Sequence, residues 1–157
     1  MLGVGWSADV ARSVIKLKSF GEVSYLLGVL YHILFLKSFN ATIEIDGKKI
    51  EREAIFIQVG NTVYTGSNFV MSPDAVVDDG FLDIIVVNML SRLRIVKLLP
   101  TIFRGEHILE KEVDVFKGKN ICILTDSPKS IVTDGEVFGR TPIEIECLPQ
   151  AIPVFWN

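Results

Sequence analysis

From residue 39 onward the chain is a succession of short apolar runs separated by turn signals, and this pattern constrains the fold more than anything else in it. Phe39, Ala41, Ile43 and Ile45 alternate with Asn40, Thr42 and Glu44, the period-two signature of a strand with one buried face. Asp46-Gly47 follows, a pair that tolerates the positive φ of a two-residue hairpin loop. The returning run, Ala54 to Val59, is nearly continuous in apolar character, which marks a strand covered on both faces. Phe81 to Val87 is equally apolar, and further strands are expected at 113–116, 121–124, 130–133, 143–147 and 152–155. Lys117-Gly118, Ser127-Pro128 and Asp134-Gly135 supply turns between several of them. Many short strands with regular turns predict an antiparallel β-sandwich or a partly closed barrel.

The first 38 residues read differently. Ala8, Val10, Ala11, Val14, Ile15 and Leu17 have helical spacing, and a second apolar helix is expected after Gly21. The fold class is therefore mainly β with N-terminal helices, in one domain over residues 1–157. The run from Tyr25 to Leu36 is too short to cross a bilayer, which takes about 20 residues. Ser91 is placed to cap a helix carrying Leu93, Val96, Leu98 and Leu99, with Pro100 kinking it or starting a second turn. Residues 60–80 are rich in Gly, Asn, Ser, Pro and Asp, and a loop of that length inside a domain is usually functional.

Composition narrows the class. The chain has 16 basic and 19 acidic residues, a formal charge of −3, which argues against a general nucleic-acid binder. Its mean hydropathy of +0.40 is high for a small domain, so apolar surface is expected to be buried on a partner, a second copy included, or to meet lipid. Cys122 and Cys147 lack metal-ligand spacing and are expected to be buried free thiols. No secretory leader is legible at Met1, so a cytoplasmic location is expected.

Most signatures of catalysis are absent. His32 and His107 are not in metal-ligand spacing, Gly60 to Gly66 lacks the Lys-Ser/Thr of a phosphate loop, and Gly3-x-Gly5 lacks the third glycine of a dinucleotide fingerprint. Two acidic turns remain. Asp78-Asp79-Gly80 leads sharply into a strand, and such a turn exposes carbonyls beside a carboxylate, the donor set of a hard cation. In Thr133-Asp-Gly-Glu136, Asp134 and Glu136 flank a glycine, and paired carboxylates at one turn provide a base for a hydroxyl proton. Taken singly, either stretch also reads as an ordinary solvated turn. Arg92, Arg94, Lys97 and Arg104 give the 91–105 segment a basic face, which reads most simply as a solvated helix face and also suits anionic headgroups.

The order of the motifs carries more information than any one of them. Gly5-Trp-Ser-Ala8, Gly60-Asn61, Pro73-Asp-Ala75, Asp79-Gly-Phe-Leu-Asp83, Gly105-Glu-His107, Thr133-Asp-Gly-Glu136 and Ala151-x-Pro-Val follow one another. The series resembles the C-terminal domain of the bacterial diacylglycerol kinase-like lipid kinases, related to sphingosine kinases. The resemblance implies that Asp134 is general base for a lipid hydroxyl, with Glu136 beside it. It implies a structural Mg²⁺ held by the Asp79 carboxylate and the carbonyls of Val76 and Phe81. Trp6 and Ser7 depart from the residues common in the family. It further implies a separate N-terminal ATP-binding domain with a Gly-Gly-Asp-Gly motif, absent from these 157 residues, without which the chain is expected to be inactive. Expected partners are ATP, a lipid substrate, that domain and the membrane surface, at which the protein would be peripheral. An NAD kinase-like domain and a non-catalytic lipid- or protein-binding sandwich are the alternatives.

Overall fold

The computed structural model describes residues 1–6, 32–66 and 68–152. Among these, nine strands form one continuous antiparallel sheet that folds over on itself. Strand β1 is Leu2–Gly5, β2 Phe39–Ile45 and β3 Lys48–Gly60, followed by a small hairpin of β4, Tyr64–Thr65, and β5, Phe69–Val70. Strand β6, Leu82–Asn88, leads to helix α1, Arg92–Leu98, and two 3₁₀ turns, Leu99–Arg104 and Glu106–Leu109. Strands β7 Val113–Gly118, β8 Asn120–Thr125, β9 Ser130–Thr133, β10 Glu136–Arg140 and β11 Ile143–Glu146 complete the described chain.

The 13-residue β3 makes the sandwich possible. Its first half pairs with β2, which continues through β8 to β11. Its second half lies between β1 and β6, in a layer that runs from β10 and β9 on one side to β7 on the other. Ile57, Val59, Ile84 and Val86 face Phe39, Ala41, Ile43, Ile121 and Ile123 across the sandwich interior. The alternate residues Ile55, Ile85 and Val87 turn outward and are covered by Ile95 and Leu98 of α1, with Ile33, Met71 and Leu90. Two covered faces explain why the second half of β3, and β6, lack polar alternation. Ser91 does cap α1, its Oγ accepting the Arg94 N–H, and Pro100 stands at the start of the first 3₁₀ turn.

Several expectations need correction. The chain opens as a strand, not a helix: Leu2–Gly5 pairs with both β3 and β9, and four residues flanked by neighbours on both sides owe their state to tertiary pairing. The expected N-terminal helices fall mostly on residues 7–31, outside the described residues, as does most of the expected strand at 152–155. Strand β10 was not legible, because all five of its residues are exposed. Both cysteines are free but only half-buried. The basic face loses a member, since the Arg94 guanidinium is held by Glu110 and Glu112.

Candidate functional site

Three Asp-Gly turns have different surroundings, and two of them share one local geometry. Asp46-Gly47 joins β2 to β3 with φ of 48° and 85°, and Asp134-Gly135 joins β9 to β10 with φ of 46° and 92°. Both positive values at both positions are the mark of a type I′ hairpin, which matches the right-handed strand twist. The Asp46 carboxylate accepts backbone N–H bonds from Lys119 (3.1 Å) and Asn120 (2.8 Å), and these hold it below the usual carboxylate range, the Asn120 bond most. That aspartate ties two turns together. The Asp134 side chain is 84% exposed, and its contact is with the Met1 α-amino group at 2.7 Å. Apart from that ion pair, the carboxylate faces solvent at the tip of the hairpin. Glu136 opens β10 opposite Thr133 and is exposed.

The third turn is different again. Gly80 has φ of 76°, and the Asp79 Oδ1 accepts the Phe81 N–H at 2.9 Å. The other oxygen, Oδ2, receives the Lys117 ammonium at 2.8 Å. Lys117 first, and the Phe81 N–H second, hold Asp79 below the usual carboxylate range. Lys117 also lies 3.6 Å from Asp83 Oδ1. Asp83 is 3% exposed, its Oδ2 has no hydrogen-bond partner, and burial pushes its pKa up against the pull of Lys117. Val76 accepts the Asp79 N–H at 3.5 Å, and Asn61 Nδ2 donates to the Val77 carbonyl at 3.0 Å. The Gly60-Asn61 loop is thereby tied to the acidic loop.

Strand register brings the two acidic turns to the same end of the molecule. Thr133, Leu2, Val59, Ile84 and Phe116 are successive cross-strand partners. One residue further out come Asp134, Met1, Gly60, Asp83 and Lys117, with the Asp134 N–H donating to the Met1 carbonyl and Gly60, Asp83 and Lys117 in register. At about 4.8 Å per strand, Asp134 and Asp83 stand roughly 14 Å apart. They share one rim and do not touch. A cleft of about 510 Å³ between Asn40, Arg52, Glu53 and Asp126 contains none of these residues.

Do these residues suit Mg²⁺? The donors around Asp79 and Asp83 are all oxygens, and a buried carboxylate oxygen lacks a partner. Both features suit a hard cation that keeps several waters. Among the described residues no cluster of three His, Cys, Asp or Glu side chains is poised for a metal, so an ion here would rely on carbonyls and water, with Val76 and Phe81 the candidates that the family resemblance implies. Lys117 was not foreseen, because only sheet register places it 38 residues away beside Asp79. The buried Gln58, whose Nε2 donates to Thr65 Oγ1 at 2.9 Å, was also missed. His107 is buried, and its Nε2 donates to the Met71 carbonyl at 3.0 Å.

Fold and site together define a mainly β, antiparallel sandwich domain with an oxygen-rich acidic rim at one strand end. The chain belongs to the family described as the YegS C-terminal NAD kinase beta sandwich-like domain, whose model matches residues 1–156. It is 29% identical to a diacylglycerol kinase of Mycobacterium tuberculosis, over 85% of this chain and 43% of that one. It is 28% identical to a diacylglycerol kinase of Staphylococcus saprophyticus, over 89% of this chain and 46% of the relative. A crystal structure of a diacylglycerol kinase from Bacillus anthracis superposes with a TM-score of 0.58 at 29% identity, covering 76% of this chain and 43% of that one. A second structure from that organism gives a TM-score of 0.66, also at 29% identity, over 94% of this chain and 49% of the other. The chain thus spans less than half the length of these relatives.

Proposed function

We propose that this domain is the acceptor-side half of an ATP-dependent lipid kinase. The observation that carries the reading is the Asp134 turn. Of two type I′ Asp-Gly hairpins, one carboxylate is bound by backbone N–H groups, and the other is exposed, paired with the Met1 α-amino group, on the rim that also bears Asp79 and Asp83. In the proposed reaction Asp134 accepts the proton of a lipid hydroxyl, with Glu136 beside it. The hydroxyl oxygen then bonds to the γ-phosphorus of ATP as the bond to the ADP oxygen breaks. Phosphoryl transfer is mostly positioning, so the ATP-binding domain would have to meet this rim, and the isolated chain is inactive. When bound, Mg²⁺ at Asp79 would neutralise the acidic loop and fix its shape. Substrate class and phosphate acceptor follow the relatives named diacylglycerol kinase.

A peripheral membrane location is part of the reading. Leu93, Val96 and Phe103 are exposed beside Arg92 and Lys97, a combination that suits an anionic bilayer surface. No helix among the described residues is long and apolar enough to cross a membrane.

The test is Asp134→Asn in the protein carrying both halves. Turnover is expected to vanish with the fold intact, and retained turnover overturns the assignment. A second reading is favoured by the family's own description, which likens the sandwich to that of NAD kinase. Offering diacylglycerol and NAD as competing phosphate acceptors separates the two.

A further inference from the structure

We propose that the Lys117 ammonium is a built-in cation for the acidic loop, and that Lys117 and a divalent metal ion are alternative occupants of the space between Asp79 and Asp83. This rests on the reading of the Asp79 turn as a cation-holding element and specifies what competes for it.

Three observations lead here. The ammonium is within 2.8 Å of Asp79 Oδ2 and 3.6 Å of Asp83 Oδ1, so it draws on both carboxylates at once. The register brings the two side chains together: Lys117 is the direct cross-strand partner of Asp83 on the β6–β7 pair, and side chains opposite each other in an antiparallel pair share a face. The balance of charge is also incomplete, because one ammonium faces two carboxylates. The Asp83 Oδ2 is buried and without a hydrogen-bond partner. A buried carboxylate oxygen left unmatched is costly, and a second unit of positive charge at the same place would relieve it. A divalent ion supplies that charge and prefers oxygen donors. It cannot share the site with the ammonium, since both are cations drawing on the same two carboxylates. Lys117 therefore keeps the loop folded when metal is scarce and lowers its affinity for metal when metal is present.

The experiment is a titration of the full chain with MgCl₂, followed by calorimetry and by thermal melting, in the wild type and in Lys117→Met, Lys117→Arg, Asp79→Asn and the Lys117→Met/Asp79→Asn double variant. Circular dichroism checks each fold. Lys117→Met is expected to bind Mg²⁺ about tenfold more tightly than the wild type, the effect of removing one close competing charge. Its melting temperature is expected to rise at about tenfold lower Mg²⁺ concentration than that of the wild type. Lys117→Arg keeps the charge and is expected to keep the weak affinity, and the double variant loses the gain. Equal affinity in wild type and Lys117→Met, abolished by Asp79→Asn, overturns the role of Lys117 and leaves the metal turn standing. Absence of Mg²⁺ binding in every variant overturns both.

Discussion

At the scale of single residues, what distinguishes one aspartate from another is its partner and not its neighbours in sequence. Asp46 and Asp134 occupy equivalent positions in two hairpin turns, and Asn is well tolerated at positive φ. Asp46→Asn removes the charge that two backbone N–H groups stabilise, so the urea midpoint is expected to fall. Asp134→Asn is expected to leave the midpoint unchanged, and equilibrium unfolding followed by circular dichroism compares the two. His107 supplies a pH signature. Burial lowers its pKa below the ordinary value of 6.5, so the folded state holds the ring neutral while the unfolded state takes up a proton below that value. With the unfolded state binding more protons, stability falls as pH drops below about 6.5. Urea midpoints measured at pH 7.5 and 5.5 are expected to decline with acidity in the wild type, and less so in His107→Gln. The sequence showed a histidine after a glycine. It did not show that the ring is buried against the Met71 carbonyl, 36 positions away.

At the scale of elements, strands with one or two covered faces were legible and those without were not. Strand β2 reads cleanly because one face is buried and the other is wet. Strand β6 reads because both of its faces are covered. Strand β10 has no buried face to impose a pattern, and β1 is four residues whose state comes from β3 and β9. Gly5, which ends β1, shows how close those strands lie. Its φ is 86°, and a Cβ there would stand 2.5 Å from Phe39 Cε1 and 2.9 Å from the Ile55 carbonyl. The glycine that failed as a nucleotide fingerprint is required by packing. Gly5→Ala is expected to destabilise the domain by roughly 1–3 kcal/mol through strain and overlap, to be read from denaturant unfolding.

For the whole molecule, the high hydropathy has a structural basis in two apolar cores, one inside the sandwich and one under α1. Apolar surface also remains outside them. Val137 and Phe138 lie exposed on β10, the strand that follows the Asp134 turn, and Val76 and Val77 lie exposed in the acidic loop. Exposed apolar side chains are candidate contact positions, and these lie on the segments that carry the two acidic turns, at the rim that an ATP-binding domain would have to reach. Phe138→Ser is expected to leave stability within about 0.5 kcal/mol, as for other exposed positions, and to reduce self-association of the isolated chain in sedimentation velocity. Unchanged self-association would remove β10 as a contact surface.

The sequence by itself determined the conformations that a local pattern encodes. Alternation defined which strands have a buried face, the Asp-Gly pairs defined the hairpins at 46–47 and 134–135, and Ser91 defined the start of α1, because each depends on residues within a few positions of one another. Only the tertiary structure decided which charges meet. Asp46 finds its N–H partners 73 and 74 positions away, Asp79 finds Lys117 at 38, and the two acidic turns share a rim through the register of five strands. Periodicity encodes the face on which a side chain lies. The neighbour it meets there is set by how distant strands pack, and no local pattern carries that information.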